Sequence, residues 1–328
     1  ATAATVSAPA LRVIVSSEAS GLKPYEQAIM GAINYDGCAK LPTEEERANC
    51  KLDKALVNVG ALYAQEVEGR VCTDVDARLA DDEAAMVAKV ESLVKLYKES
   101  GVPESKTIYR LPATWAGIQA AKQLEAKGIT TQVYLVFSLI QAVAAAQAGV
   151  SVIQPNVGRL RECFLKFPNV IRDPHGPRQD AGFITSEDPG IVLLQHIFTY
   201  VKKYHHDTTK VMASGIRTKD DALQLAGCDY MIVPTKVMDE LSATPTTEGY
   251  NDGLHMAAGD DASQAALNAS EAAAAECVKL DTVDATAFTA GLGFAAEQLL
   301  QDGLKQAVAD VSGTMPLFEK STTAHSAT

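Results

Sequence analysis

Ten polar side chains fall where short apolar runs end, and they bound the chemistry open to this chain. They are Asp74 and Asp76, Arg110, Gln132 and Tyr134, Gln154 and Asn156, Arg159, Ser214 and Arg217. Three arginines in that set favour an anionic ligand, because a guanidinium fork matches phosphate oxygens two at a time. The six histidines, His175, His196, His205, His206, His255 and His325, fall instead in loops, helices or the tail. General-base work by histidine therefore has little support, and no HxxxH spacing offers a metal site. Arg110, at the end of "TIYR", cannot itself attack a carbonyl: its guanidinium stays protonated and its nitrogens are delocalised. Asp74 or Asp76 on the neighbouring run is the natural partner for that cation.

The elements that must carry these side chains alternate. "GRVCTDVDA" reads as a strand and "DDEAAMVAKVESLVKLYKES" as a helix; "TIYRLP" precedes a helix over Trp115 to Ala126. "TQVYLVFS" leads into an Ala-rich helix through Ala148, then "SVIQPN", "KVMASG" and "YMIVPT" follow with helices between them. Strands alternating with helices of this length make βαβ units and a parallel sheet. Short right-handed crossovers close such a sheet into a barrel, with functional groups at the C-terminal ends of its strands. Before residue 68, "LRVIVSS" is expected as a strand, and helices are expected near Pro24–Tyr35 and over Glu44–Glu66. That gives seven strands. A last helical region is expected over about Asp284–Val311, a flexible tail at 316–328, and helix or loop for "GDDASQAALNASEAAAAEC".

Composition excludes several partners. The formal net charge of −12 disfavours nucleic acid and anionic membrane surfaces. No apolar run approaches the length that spans a bilayer. The six cysteines, Cys38, Cys50, Cys72, Cys163, Cys228 and Cys277, are scattered without a CxxC pair, so most are expected as small buried hydrophobes in a reducing compartment. The opening "ATAATVSAPA" (1–10), rich in Ala, Thr and Ser and free of acids, is expected to be a transit-peptide remnant or an interface. That places the chain in the plastid stroma, or otherwise the cytoplasm.

"GRVCTDVDARLADD", "RLPATWAGIQAAKQLEAKGI", "LVFSLIQAVAAAQAGVSVIQPNVGRL", "EDPGI", "VMASGIRT" and "LAGCDYMIVPTKVMDEL" occur in the order and spacing of transaldolases. The chain resembles that family over roughly residues 20 to 311. The resemblance implies a cofactor-free (β/α)8 TIM-type barrel over 11–315, its first strand divergent or missing, built for Schiff-base transfer between phosphorylated sugars. The family's functional positions are only partly kept. Where it carries Ser, Thr and Glu, this chain has Cys72, Thr73 and Asp74. Its Schiff-base lysine corresponds to Arg110, its Asn and Thr to Gln132 and Tyr134, and the Ser and Phe of its "SPFVGR" to Gln154 and Asn156. "VSSEAS" (15–20) stands where "TTNPS" is expected. The two phosphate-binding arginines persist as Arg159 and Arg217, with Ser214 beside them.

A transaldolase-like protein that has lost Schiff-base chemistry is therefore expected, with no catalytic residue and no cofactor or metal. It would bind a phosphorylated sugar, a protein partner or a second copy of itself. Lys236 as a replacement nucleophile, Cys72 as a reactive thiol and Tyr134 as an acid or base are the minor readings. The rival is an active transaldolase moving dihydroxyacetone units.

Overall fold

The structure is a computed structural model and describes residues 2–17, 19–167, 188–243 and 277–319. The chain divides into two compact units. One is built from the residues up to Leu111, Ala126–Thr131 and the chain from Leu304 onward; the other holds Pro112–Glu125 and Gln132–Gly303. The low-complexity stretch before Cys277, residues 320–328, and His175, His255 and His325 lie outside the described residues; the first four residues of the tail expected at 316–328, Pro316–Glu319, form instead a short helix that buries Phe318.

The first unit carries strands β1 (Ala4–Val6), β2 (Val71–Asp74) and β3 (Thr107–Pro112), all parallel and in chain order. Register sets Val6 beside Thr73 and Asp74 beside Arg110. The expected strand "LRVIVSS" is instead part of helix α1 (Ala8–Ser16). Pro9 stands in the first turn, where its fixed φ suits a helix and its missing N–H costs nothing. Leu11 and Ile14, three apart, are buried on one face, and that spacing outweighs the β-branched composition of the run. The first strand lies upstream, in three residues of the Ala/Thr-rich opening.

Helices α2 (Lys23–Ile33), α3 (Asp36–Ala39) and α4 (Glu44–Glu66) follow. A capping box starts α4 at the expected residue. The Thr43 hydroxyl accepts from the Glu46 N–H at 3.1 Å, and the Glu46 carboxylate accepts from the Thr43 N–H at 3.0 Å. Cys38 and Cys50 form a disulfide that fastens α3 to α4, so for this pair the reading as separate small hydrophobes is corrected. Val6, Leu11, Ile14, Ile29, Leu52 and Phe318 share this unit's core. Helix α5 (Glu83–Glu99) links β2 to β3.

The second unit carries β4 (Thr131–Val136), β5 (Val152–Pro155), β6 (Lys210–Ala213) and β7 (Tyr230–Met231), again parallel and in chain order. Between them run α7 (Leu139–Gln147), α8 (Val157–Lys166), α9 (Pro189–Tyr204) and α10 (Lys219–Gln224), and α6 (Trp115–Ala126) precedes β4. Helices α11 (Thr235–Ala243), α12 (Ala285–Gly291) and α13 (Gly293–Thr314) follow β7, and the expected last helical region is α12 with α13. The core joins Val133, Val143, Ile153, Leu194, Ile197 and Val211.

One strand is irregular. Leu135 in β4 has a φ of 61°, a left-handed backbone unusual for a branched side chain, and the register with β5 shifts between Val133 and Val136. The fully buried Gln141 side chain takes up the displaced backbone. Its Nε2 donates to the carbonyls of Leu135 at 3.0 Å and Ala113 at 2.9 Å, while its Oε1 accepts from the N–H groups of Phe137 and Ser138. Parallel strands in chain order, with helices between them, are the α/β barrel-type fold expected from the sequence. Among the described residues no helix is long and apolar enough to cross a membrane.

Candidate functional site

The strand-end residues form one group in each unit. In the first, the neighbouring registers of β2 and β3 bring Asp74 and Arg110 together: Arg110 Nη1 donates to Asp74 Oδ1 at 2.8 Å. Both side chains are largely buried, 23% and 19% exposed, so the pair is shielded from solvent on most sides. Asp76, the other carboxylate considered for Arg110, is taken by Arg78, whose Nη2 also donates to Asn49 at 2.6 Å. Cys72 is buried, and loss of water pushes its thiol up to about 12, against the pull of the Arg110 cation. A thiol so held is unreactive at neutral pH.

In the second unit Gln132 and Gln154 are buried and joined: Gln132 Nε2 donates to Gln154 Oε1 at 2.5 Å. Tyr134 is also buried, its carbonyl accepting from Ala113 N–H at 2.8 Å. Asn156 is a cap: its Oδ1 accepts from Arg159 N–H at 3.0 Å and starts α8. Ser214, joined to Asn156 by a parallel bridge, donates its hydroxyl to the Pro155 carbonyl at 2.7 Å. Its side chain thus welds β6 to β5 and keeps only lone pairs for any ligand.

The N-terminus of α8 and the loop after β6 approach closely because both carry glycine. A Cβ on Gly158 would stand 2.4 Å from the Gly215 carbonyl, and Gly215 itself has a φ of 76°. The Arg217 stem lies over the same spot, its Cγ 3.2 Å from that Cβ position. The Arg217 guanidinium pairs with Glu162 at 3.1 Å, but both side chains are about half exposed, so a ligand can compete for it. Arg159 is half-buried, and among the described residues no carboxylate lies within ion-pair distance of it. Two guanidinium groups therefore flank the positive end of a ten-residue helix, an arrangement suited to an anion.

The sequence reading passed over the ion cluster beneath this site. Arg161 on α8 reaches both Asp188, the cap of α9, and Asp221 in the capping box of α10. Its signal was available in "VGRLRE", where a second arginine falls two residues past Arg159. Lys236, considered as a replacement nucleophile, is 86% exposed and sits near Glu240 at 3.8 Å, without the burial that would free its amine of a proton. Among the described residues no cluster of His, Cys, Asp or Glu could hold a metal ion.

The family Transaldolase/Fructose-6-phosphate aldolase matches residues 14–315. A protein named Probable transaldolase from Dictyostelium discoideum is 39% identical over 217 residues, covering 66% of this chain and 64% of that protein. Transaldolase A of Escherichia coli (strain K12) is 38% identical over 224 residues, 68% of this chain and 67% of its own. A transaldolase from Shewanella piezotolerans is 37% identical over 233 residues, with 70% and 68% covered. The chain thus spans about two thirds of the length of these relatives, falling just short of that for the Dictyostelium protein. On this match and on the parallel α/β architecture, the chain belongs to the transaldolase/fructose-6-phosphate aldolase family.

Proposed function

We propose that this chain is a transaldolase-family protein that binds phosphorylated sugars without forming a Schiff base. The observation that carries this is Arg110. It stands where the family resemblance puts the lysine, and it is tied to Asp74 at 2.8 Å. A Schiff base needs an amine that can shed its proton and attack a carbonyl. A guanidinium in an ion pair does neither. The buried Gln132–Gln154 pair and the buried Tyr134 replace smaller groups at the positions expected to face the sugar chain, which supports the same reading.

Binding rests on Arg159 and Arg217, which take the phosphate at the N-terminus of α8, with Ser214 shaping the floor. The role is regulatory or lies in presenting the bound form to another protein or a second copy. The plastid stroma is its proposed compartment. An active transaldolase is the second reading, favoured by the names of relatives 37–39% identical.

Incubation with fructose 6-phosphate, borohydride reduction and intact-mass analysis separate the two. The expected result is unmodified protein, with calorimetry showing that the sugar phosphate binds. A stoichiometric lysine adduct would overturn the proposal in favour of turnover. Absence of both adduct and binding would overturn the sugar-phosphate role and leave the outer surface as the functional part.

A further inference from the structure

Beneath the paired arginines lies a buried ionic cluster whose two carboxylates also cap α9 and α10. Asp188 and Asp221 are 3% and 1% exposed. Two carboxylates at that depth are stable only when charge and hydrogen bonds compensate them. One guanidinium serves both: Arg161 Nε donates to Asp188 Oδ2, and Arg161 Nη2 donates to Asp221 Oδ1 at 2.7 Å. The remaining oxygens turn to backbone. Asp188 Oδ1 accepts from the N–H groups of Gly190 and Ile191 at 2.8 and 3.1 Å. Asp221 Oδ2 accepts from those of Arg217 at 2.8 Å and Thr218 at 3.1 Å.

The contact to Arg217 gives the cluster a bearing on the anion site. The loop from Gly215 to Thr218 begins with a left-handed residue, and the Arg217 guanidinium pairs with the exposed Glu162. Asp221 therefore fixes the backbone that aims Arg217. Arg161 in turn fixes Asp221, and it sits on the same helix as Arg159, two residues on. Burial alone would raise the Asp221 carboxyl, but the bonds from Arg161 and the two N–H groups outweigh it and hold it below the usual carboxylate range. The carboxylate thus stays charged and Arg161 stays bound to it.

We propose that Arg161 is a positioning residue for phosphate recognition: through Asp221 it holds Arg217 in one frame with Arg159, touching no ligand itself. The inference rests on the sugar-phosphate reading above. Asp221 also closes the capping box of α10, and its contact to the Arg217 N–H extends that structural role to the anion site.

The test is isothermal titration of the full chain with inorganic phosphate and with fructose 6-phosphate. Wild type is compared with Arg161→Gln, Arg161→Lys and Leu194→Ala. Leu194 is fully buried in the apolar core and its side chain carries no charge or hydrogen-bonding group, so its variant reports loss of packing rather than loss of a polar contact. Arg161→Gln is expected to weaken both ligands by about tenfold, the scale found when a residue that orients a ligating side chain is removed. Arg161→Lys should recover part of that loss, since an ammonium restores the charge without the fork that spans both carboxylates. Leu194→Ala should melt earlier yet keep wild-type affinity at temperatures where it is folded. Should Arg161→Gln fail to fold, Asp221→Asn, which keeps the shape and drops the charge, is expected to show the same weakening. Unchanged affinity in the Arg161 variants, or an equal loss in Leu194→Ala, would overturn the positioning role while leaving the binder intact. A wild type that binds neither ligand would overturn the binder and the positioning role together.

Discussion

The ion pair between Asp74 and Arg110 can be measured by a double-mutant cycle of Asp74→Ala and Arg110→Met. At 2.8 Å and an effective dielectric of about 20, the gross attraction is roughly 6 kcal/mol. Both side chains are three-quarters or more withdrawn from water, so most of that is returned as lost hydration. What remains is a charge-assisted hydrogen bond with a net value of about 2 kcal/mol. Either single change leaves a poorly solvated charge behind and should cost about 3 kcal/mol. The double change removes both charges and should cost about 4 kcal/mol rather than about 6, a coupling near 2 kcal/mol. Urea unfolding followed by far-ultraviolet circular dichroism, at low and at 1 M salt, gives the four free energies. A surface pair would lose its coupling at high salt, whereas this one should keep most of it. Additive single effects, with coupling under about 0.5 kcal/mol, would refute the assignment of Arg110 to a structural pair with Asp74.

Three further outcomes follow from the same structure. Reducing the Cys38–Cys50 disulfide, or replacing both residues by Ser, should lower the unfolding free energy by about 3 kcal/mol for a loop of this length, read from denaturation with and without dithiothreitol. Gly215→Ala would force a Cβ to 2.1 Å from Asn156 Oδ1 in a left-handed backbone. It should cost on the order of 2 kcal/mol or more and weaken phosphate binding, because Asn156 must leave its cap on α8. Burial, then the nearby Lys279 cation, hold His205 below the ordinary histidine value, so the native state prefers the neutral ring. The unfolded chain then binds more protons below its usual value near 6.5. Stability from this group is present above that pH and lost as pH falls through it, an effect His205→Gln should flatten in melting curves taken from pH 7.5 to 5.

The sequence was most legible where local chemistry decides structure. The start of α4 could be read from Thr43 and Glu46 alone, since a capping box needs only four residues to declare itself. The strands of β3, β4 and β5 were equally clear, because buried parallel strands are runs of β-branched and apolar residues. The first strand was misplaced for the converse reason. "LRVIVSS" has strand composition but helical spacing behind Pro9, and the true strand is too short and too bland to carry a pattern. The Cys38–Cys50 bond depends on how α3 folds back on α4, which no spacing rule reveals. In the site, the partnership of Asp74 with Arg110 was foreseeable from equal positions on adjacent strands. For Arg161 the sequence offers only a second arginine in "VGRLRE"; its partners lie 27 and 60 residues away, and the packed helices bring them together.

The irregularity in β4 bears on how this chain can change over evolutionary time. The left-handed Leu135, the buried amide of Gln141 and the missing side chain at Gly303 form one arrangement: a Cβ at Gly303 would stand 2.5 Å from Leu135 Cδ2 and 3.3 Å from Arg159 Nη1. A substitution at any of the three alters what the other two will accept, so their effects are epistatic and no single replacement can be judged alone. Because the last contact reaches Arg159, that dependence extends from a backbone kink to a residue of the proposed anion site. Sequence drift in the C-terminal helix is thereby constrained by a strand far from it in the chain, and an engineered change in anion preference would have to carry all three positions along.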